Sequence, residues 1–134
     1  MNETPTRFWD AVDALRERDG RYRREAYGFV IAALEFALRD LPEVRREDPV
    51  RRHLSGQELL RSAVALARRE FGTFASTVFF EWGLKSGEDV GRVVFQLVDA
   101  RQLSARPEDS LDDFSGGPDL LKRLSESDPA SARR

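Results

Sequence analysis

Phe71–Leu103 reads FGTFASTVFFEWGLKSGEDVGRVVFQLVDARQL. Its spacing predicts two apolar helices joined by a tight, capped turn, and the fold is read outward from here. Phe74, Val78 and Trp82 recur at helical spacing, with Ala75 and Phe79 beside them. Gly83 follows the last periodic residue, where a helix end needs tolerance of positive φ. Leu84-Lys85 makes the turn. Ser86 stands three residues before Asp89, so its hydroxyl can accept from the Asp89 amide while the carboxylate reaches back. Asp is a weaker version of the usual Glu or Gln. Glu88 and Asp89 also place negative charge at the positive end of the helix dipole. Apolar residues then recur at Val90, Val93, Val94, Leu97 and Val98, with Phe95 flanking. The valines admit a strand, but the spacing and the cap favour a helix.

Two helices around a glycine turn make a helix-turn-helix outline. Read as a DNA-binding unit, Asp89–Ala100 would be the recognition helix, and such helices meet DNA through their first residues. Here those residues are Glu88 and Asp89, which phosphate repels. Arg92 and Gln96 are the candidate nucleic-acid contacts further along. An ordinary corner between two packed helices is the commoner meaning of this pattern.

The chain has 134 residues, enough for one domain with a real core. It holds 22 Lys and Arg against 24 Asp and Glu, and no region is basic overall, which argues against non-specific nucleic-acid binding. With no cysteine there is no disulfide framework, thiol nucleophile or thiolate metal site. The opening MNETPTRFWD has no basic segment followed by an apolar core, so no signal peptide is expected. No apolar run approaches the ~20 residues that cross a bilayer. The expectation is a cytoplasmic protein with no membrane association.

Taken in order, Thr4-Pro5 suits a helix start. Phe8, Trp9, Val12 and Leu15 then form one stripe, ended by Gly20. Tyr22–Leu41 is the longest predicted helix, with a wide apolar face. On its other face Gly28 and Ala32 are small and four apart, open to a close backbone or a second copy of the chain. Glu43–His53 is a charged connector broken by Pro49. Its Arg45, Arg46, Arg51 and Arg52 are candidates for an acidic partner, although Glu43, Glu47 and Asp48 suggest an internally paired loop. His53 is the only histidine and lacks the companions of a metal or nucleophilic site. Backbone or solvent is its expected partner.

Ser55-Gly56-Gln57-Glu58 is the strongest local signal. Ser55 is the N-cap, Glu58 completes a capping box, and Leu54 and Leu59 stand as a hydrophobic staple. Ser55-Gly56 and Ser86-Gly87 start two helices in the same way. The helix after Ser55 buries Leu59, Leu60, Ala63, Val64, Ala67 and Phe71. After Leu103 the composition turns acidic and rich in turn formers. Leu111 and Phe114 are placed to pin this segment back, and Asp112, Asp113 and Phe114 are candidate contact residues. The acidic side chains lack the ligand spacing of an EF-hand loop. Leu120, Leu121 and Leu124 suggest one more amphipathic turn.

The segments RYRREAY, HLSGQELL, FG…V…EWG, EDVG.VVFQLV and EDS..DF, in this order, resemble a family of small uncharacterised bacterial proteins. The likeness runs from Arg21 to Phe114. It implies no substrate or catalytic residue, since the family has no established activity. One departure stands out. Members tend to carry Ala-Gly-Leu-Leu where this chain has Ala100-Arg101-Gln102-Leu103, which leaves the end of the preceding helix in question.

The expected architecture is an all-α bundle of about five helices, with a helix-turn-helix or winged-helix outline in the C-terminal half. Residues 1–103 form the helical domain, 104–124 an acidic, partly ordered tail on it, and 125–134 a disordered end. The leading functional reading is a non-enzymatic interaction or regulatory module, with a protein partner or a homodimer and no cofactor. One alternative is a helix-turn-helix or winged-helix protein with a wing near Ser104–Phe114. The other is an enzyme with a carboxylate site, for which Glu35, Glu58 and Glu81 would need a pKa raised by burial.

Overall fold

The computed structural model describes residues 4–48 and 53–126, with side chains from Arg7 onward. Helix α1 spans Thr4–Arg18, α2 Arg24–Arg39, α3 Glu43–Glu47, α4 Gly56–Phe71, α5 Ala75–Trp82, α6 Gly87–Asp99 and α7 Leu120–Ser125. Tight 3-10 turns lie at Gly72–Phe74 and Leu111–Phe114. No strand occurs among the described residues. The fold is the expected all-α bundle, and five of its helices have eight residues or more. The wing is corrected: Ser104–Phe114 contains no strand and ends in the second 3-10 turn.

Helix α2 is the axis of the bundle. It touches α1, α4, α5 and α6, and buries Ala26, Tyr27, Phe29, Val30, Ala33 and Ala37. It starts later than its apolar pattern suggests. Arg23 is extended and donates its backbone N–H to the Trp82 carbonyl at 3.1 Å, which ties the preceding loop to the end of α5. Tyr22 therefore sits in the turn, fully buried, rather than on the helix. On the other side of α2, a Cβ at Gly28 would lie 2.9 Å from the Trp9 ring. The close approach that Gly28 permits is made by the Trp9 side chain of α1 in the same chain, not by another backbone.

Phe29, Phe71, Phe79 and Trp82 form an aromatic cluster where α2, α4 and α5 meet, with centroids 5.3 to 6.0 Å apart. Phe74 does not join it, although it opens the periodic stripe. Gly72 adopts φ 56° and turns the chain, so Phe74 falls in the 3-10 turn, 69% exposed, and Ala75 takes the inward position.

Two helices end in the same left-handed hook. At α5 Gly83 has φ 91°, the Leu84 amide donates to Phe79 O at 2.9 Å, and the Leu84 side chain is fully buried. At α6 the left-handed residue is Arg101, with φ 62°, and the Gln102 amide donates to Leu97 O at 2.8 Å. Helix α6 thus stops at Asp99 instead of running to Leu103. Arg101 holds the left-handed position that favours a residue without a Cβ. Ser125 closes α7 rather than opening a disordered end, and residues 127–134 lie outside the described residues.

Left-handed backbone costs a non-glycine residue about 1–2 kcal/mol. Arg101 is exposed, so its side chain offers little in return. Arg101→Gly is expected to stabilise the fold by about 1 kcal/mol in chemical denaturation, with the slope of the transition unchanged.

Candidate functional site

The site grows from three capping boxes that meet. Ser55 accepts from the Glu58 amide at 3.1 Å and Glu58 accepts from the Ser55 amide at 2.9 Å, as the sequence predicts. Ser86 and Asp89 do the same at α6. A third box, Ser110 with Asp113, starts the Leu111–Phe114 turn. The turn lies across the first turns of both α4 and α6. A Cβ at Gly56 would fall 2.7 Å from Asp113 O, and one at Gly87 only 2.5 Å from Phe114 O. At Gly91 a Cβ would fall 2.7 Å from the Phe114 ring. The amide of Gln57 clamps the turn, donating to Asp113 O at 3.0 Å and Ser115 O at 3.2 Å. The glycines after Ser55 and Ser86 were visible as a repeated Ser-Gly pair, and their shared reason is this turn.

Asp89 sits at the rear of the junction, 8% exposed. Five groups donate to it: Tyr22 Oη at 2.6 Å, Arg92 Nη1 at 2.9 Å, the Lys85 and Ser86 amides and the Ser86 hydroxyl. Burial pushes its pKa up, but the hydrogen bonds from Tyr22, Lys85 and Ser86 and the Arg92 charge outweigh this and leave it lowered. Tyr27 donates its hydroxyl to Gln96, whose amide reaches Asp19 at 3.4 Å. Arg92 and Gln96, the candidate nucleic-acid contacts, are therefore both bonded within the chain. Leu111 and Phe114 lie over α6 at Gly91.

In front of the junction opens a groove of about 640 Å³. Val30, Leu34 and Leu38 of α2, Leu54 and Leu59, Val94 and Phe95 of α6, Leu103 and Phe114 give it apolar walls. Arg39, Arg46, His53, Asp109 and Asp113 are its charged and titratable lining residues. They differ in what they have left to offer. Asp109 Oδ2 is met by His53 Nε2 at 2.9 Å and by the Arg106 amide at 2.8 Å, and Asp113 Oδ2 accepts from the Ser110 amide at 2.9 Å. The Arg39 guanidinium has no partner among the described residues, and Arg46 makes one long bond, at 3.5 Å, to the Arg39 carbonyl. A site of this volume with apolar walls and a few polar groups suits a bound molecule.

Several candidate residues fall differently from their sequence reading. Arg45 pairs with Glu58 of α4 and with the His53 carbonyl at 3.0 Å, not only within its own connector. His53 takes Asp109 rather than backbone or solvent. Asp112 accepts from the Ser115 hydroxyl at 3.0 Å and, like Asp113, is exposed, while Phe114 is buried. Ala32 is half-buried against the core. Arg51 and Arg52 lie outside the described residues. Of the carboxylates proposed for acid–base work, Glu35 and Glu81 are exposed. Glu58 moves the opposite way from the expected rise: the Arg45 hydrogen bonds hold its pKa down, from 4.5 to about 2, against a smaller effect of burial.

Among the described residues no group of three or more His, Cys, Asp or Glu could hold a metal ion, and no helix is long and apolar enough to cross a membrane. Residues far apart in sequence touch here: Tyr22 with Asp89, Tyr27 with Gln96, His53 with Asp109, and Gly56 and Gly87 with the Asp113-Phe114 carbonyls. No family model, curated protein or solved structure matches the chain.

Helix propensity alone would make alanine better than glycine at Gly87. The Phe114 carbonyl reverses the sign. Gly87→Ala is expected to destabilise by about 1–3 kcal/mol, while Gly20→Ala, whose Cβ would meet only Arg16 O at 3.6 Å, stays within about 0.5 kcal/mol. Denaturant titration of both variants checks this. Because the folded pKa of Glu58 lies below its unfolded value, the Arg45 pair stabilises fully above about pH 4.5 and is lost as pH falls toward 2. Glu58→Gln should cost about 0.5–1 kcal/mol at pH 7. It should also remove part of the stability loss between pH 4.5 and 2 seen in denaturation of the parent protein.

Proposed function

We propose that this chain is a non-enzymatic interaction module of a regulatory kind, and that it works by holding a partner in the groove between α2, α6 and the Leu111–Phe114 turn. The observation that carries this reading is the groove itself. Apolar side chains from several elements line one concavity of about 640 Å³, and the Arg39 and Arg46 guanidiniums that also line it are not ion-paired among the described residues. Water must leave such walls when a partner enters, which supplies the affinity, and the arginines orient what enters.

Catalysis has less support. Among the described residues His53 bonds only to Asp109 through its ring and to Arg45 through its carbonyl, and no hydroxyl is hydrogen-bonded to it. Nucleic-acid reading also has less support, since Arg92 and Gln96 are taken by Asp89, Tyr27 and Asp19. The cysteine-free sequence and the family resemblance favour a cytoplasmic, bacterial setting.

Ala105 lines the groove yet is exposed and outside the core, so Ala105→Trp should fill the groove without unfolding the protein. The test is affinity capture from the cells that make the protein, after nuclease treatment, with parent and variant side by side. Bound proteins and extracted small molecules are both read by mass spectrometry. A discrete species held by the parent and absent from Ala105→Trp is the expected result. Equal retention by the two would overturn the groove as the working surface.

A further inference from the structure

We propose that the groove takes a single-chain amphiphile with an anionic head, a carboxylate or phosphate at the end of an acyl or alkyl chain. This rests on the reading that the groove is the working surface, and it names the occupant's chemistry.

The argument begins with what the groove lacks. Its deep wall is aliphatic and aromatic side chain: Val30, Leu34, Leu59, Val94, Leu103 and Phe114. Most uncharged and acidic groups along it are already engaged in the fold. The Ser55 hydroxyl caps α4, Asp113 caps the 3-10 turn, and Asp109 is shared by His53 and Arg106, which leaves the Ser104 hydroxyl. An extended peptide would bring an N–H and a C=O at every residue, and most would lose water without finding a partner there. A methylene chain brings no such groups. It gains from each carbon it buries.

The second part is charge. Arg39 and Arg46 both line the groove, joined by the Arg46 Nη1 to Arg39 carbonyl contact at 3.5 Å, and neither guanidinium is ion-paired among the described residues. The lining carboxylates do have partners: Asp109 meets His53 and the Arg106 amide, and Asp113 accepts from the Ser110 amide. The two guanidiniums are therefore the lining charges left without a side-chain partner. A guanidinium pair matches the planar oxygens of a carboxylate or the oxygens of a phosphate. One anionic end with a long apolar remainder is the ligand that uses both features.

The test is calorimetric titration of the full chain with monomeric octanoate, decanoate and dodecanoate, then with decyl phosphate and decanol. Affinity is expected to rise roughly ten-fold for each two carbons added. Decanoate or decyl phosphate should bind about ten-fold tighter than decanol, and raising the salt should narrow that gap. Whichever acid binds tighter tells a fatty carboxylate from a phosphate-headed chain. The double variant Arg39→Gln/Arg46→Gln, checked by circular dichroism, should bring the anions down to decanol while leaving decanol unchanged. Ala105→Trp should abolish all of them. Absence of a chain-length effect, or anion binding untouched by the arginine variant, would overturn the proposal. So would sedimentation with phosphatidylglycerol vesicles without binding of either monomer, which would point to a membrane surface. If no amphiphile binds but capture still finds a species lost in Ala105→Trp, the groove stands as the working surface and only this occupant fails.

Discussion

Two carbonyl oxygens lie closer to the first turns of α4 and α6 than any side chain would allow. Asp113 and Phe114 supply them, and Gly56 and Gly87 admit them. Most of what distinguishes this bundle depends on that approach. Because the 3-10 turn can settle there, Phe114 reaches the core and packs against Phe95 with centroids 6.3 Å apart. His53 meets Asp109 across the same seam. The groove follows as well, since Phe114 and Asp113 are part of its wall. A larger residue at either glycine would displace the turn and open the wall together.

The two capping boxes at Ser55 and Ser86 were legible because a cap is local: its donors and acceptors lie within one turn of chain. The left-handed hook at Gly83 was legible for the same reason. The helix pattern around Val90–Val98 gave the right face, with Val90, Val93 and Leu97 buried. Periodicity misled where a neighbour decided the boundary. Tyr22 fits the α2 stripe by spacing but is drawn out of the helix by Asp89, which is 67 residues away in sequence. Phe74 fits the α5 stripe but is turned out by the backbone at Gly72.

The site was less visible than the fold. Nothing near His53 in sequence announces Asp109, and nothing near Arg45 announces that Glu58 would be both cap and ion-pair partner. Both pairings join side chains from separate elements, so they exist only once the elements are placed. The groove is of the same kind. Its apolar residues read as core in the sequence, and only their arrangement leaves space between them. The one available signal was the repeated Ser-Gly pair, since glycine just inside a helix start has no local advantage and implies close contact with something distant.

The junction also orders events during synthesis. A chain emerging from the ribosome delivers α1 to α6 before it delivers the turn that covers the starts of α4 and α6. Until residues up to Leu124 have emerged, the surfaces that Phe114, Leu120 and Leu124 later bury remain wet. Final closure therefore waits on the segment from Leu111 to Leu124. Contacts such as Gln57 with Asp113 and Ser115, 56 and 58 residues apart, make that closure a long-range and late step.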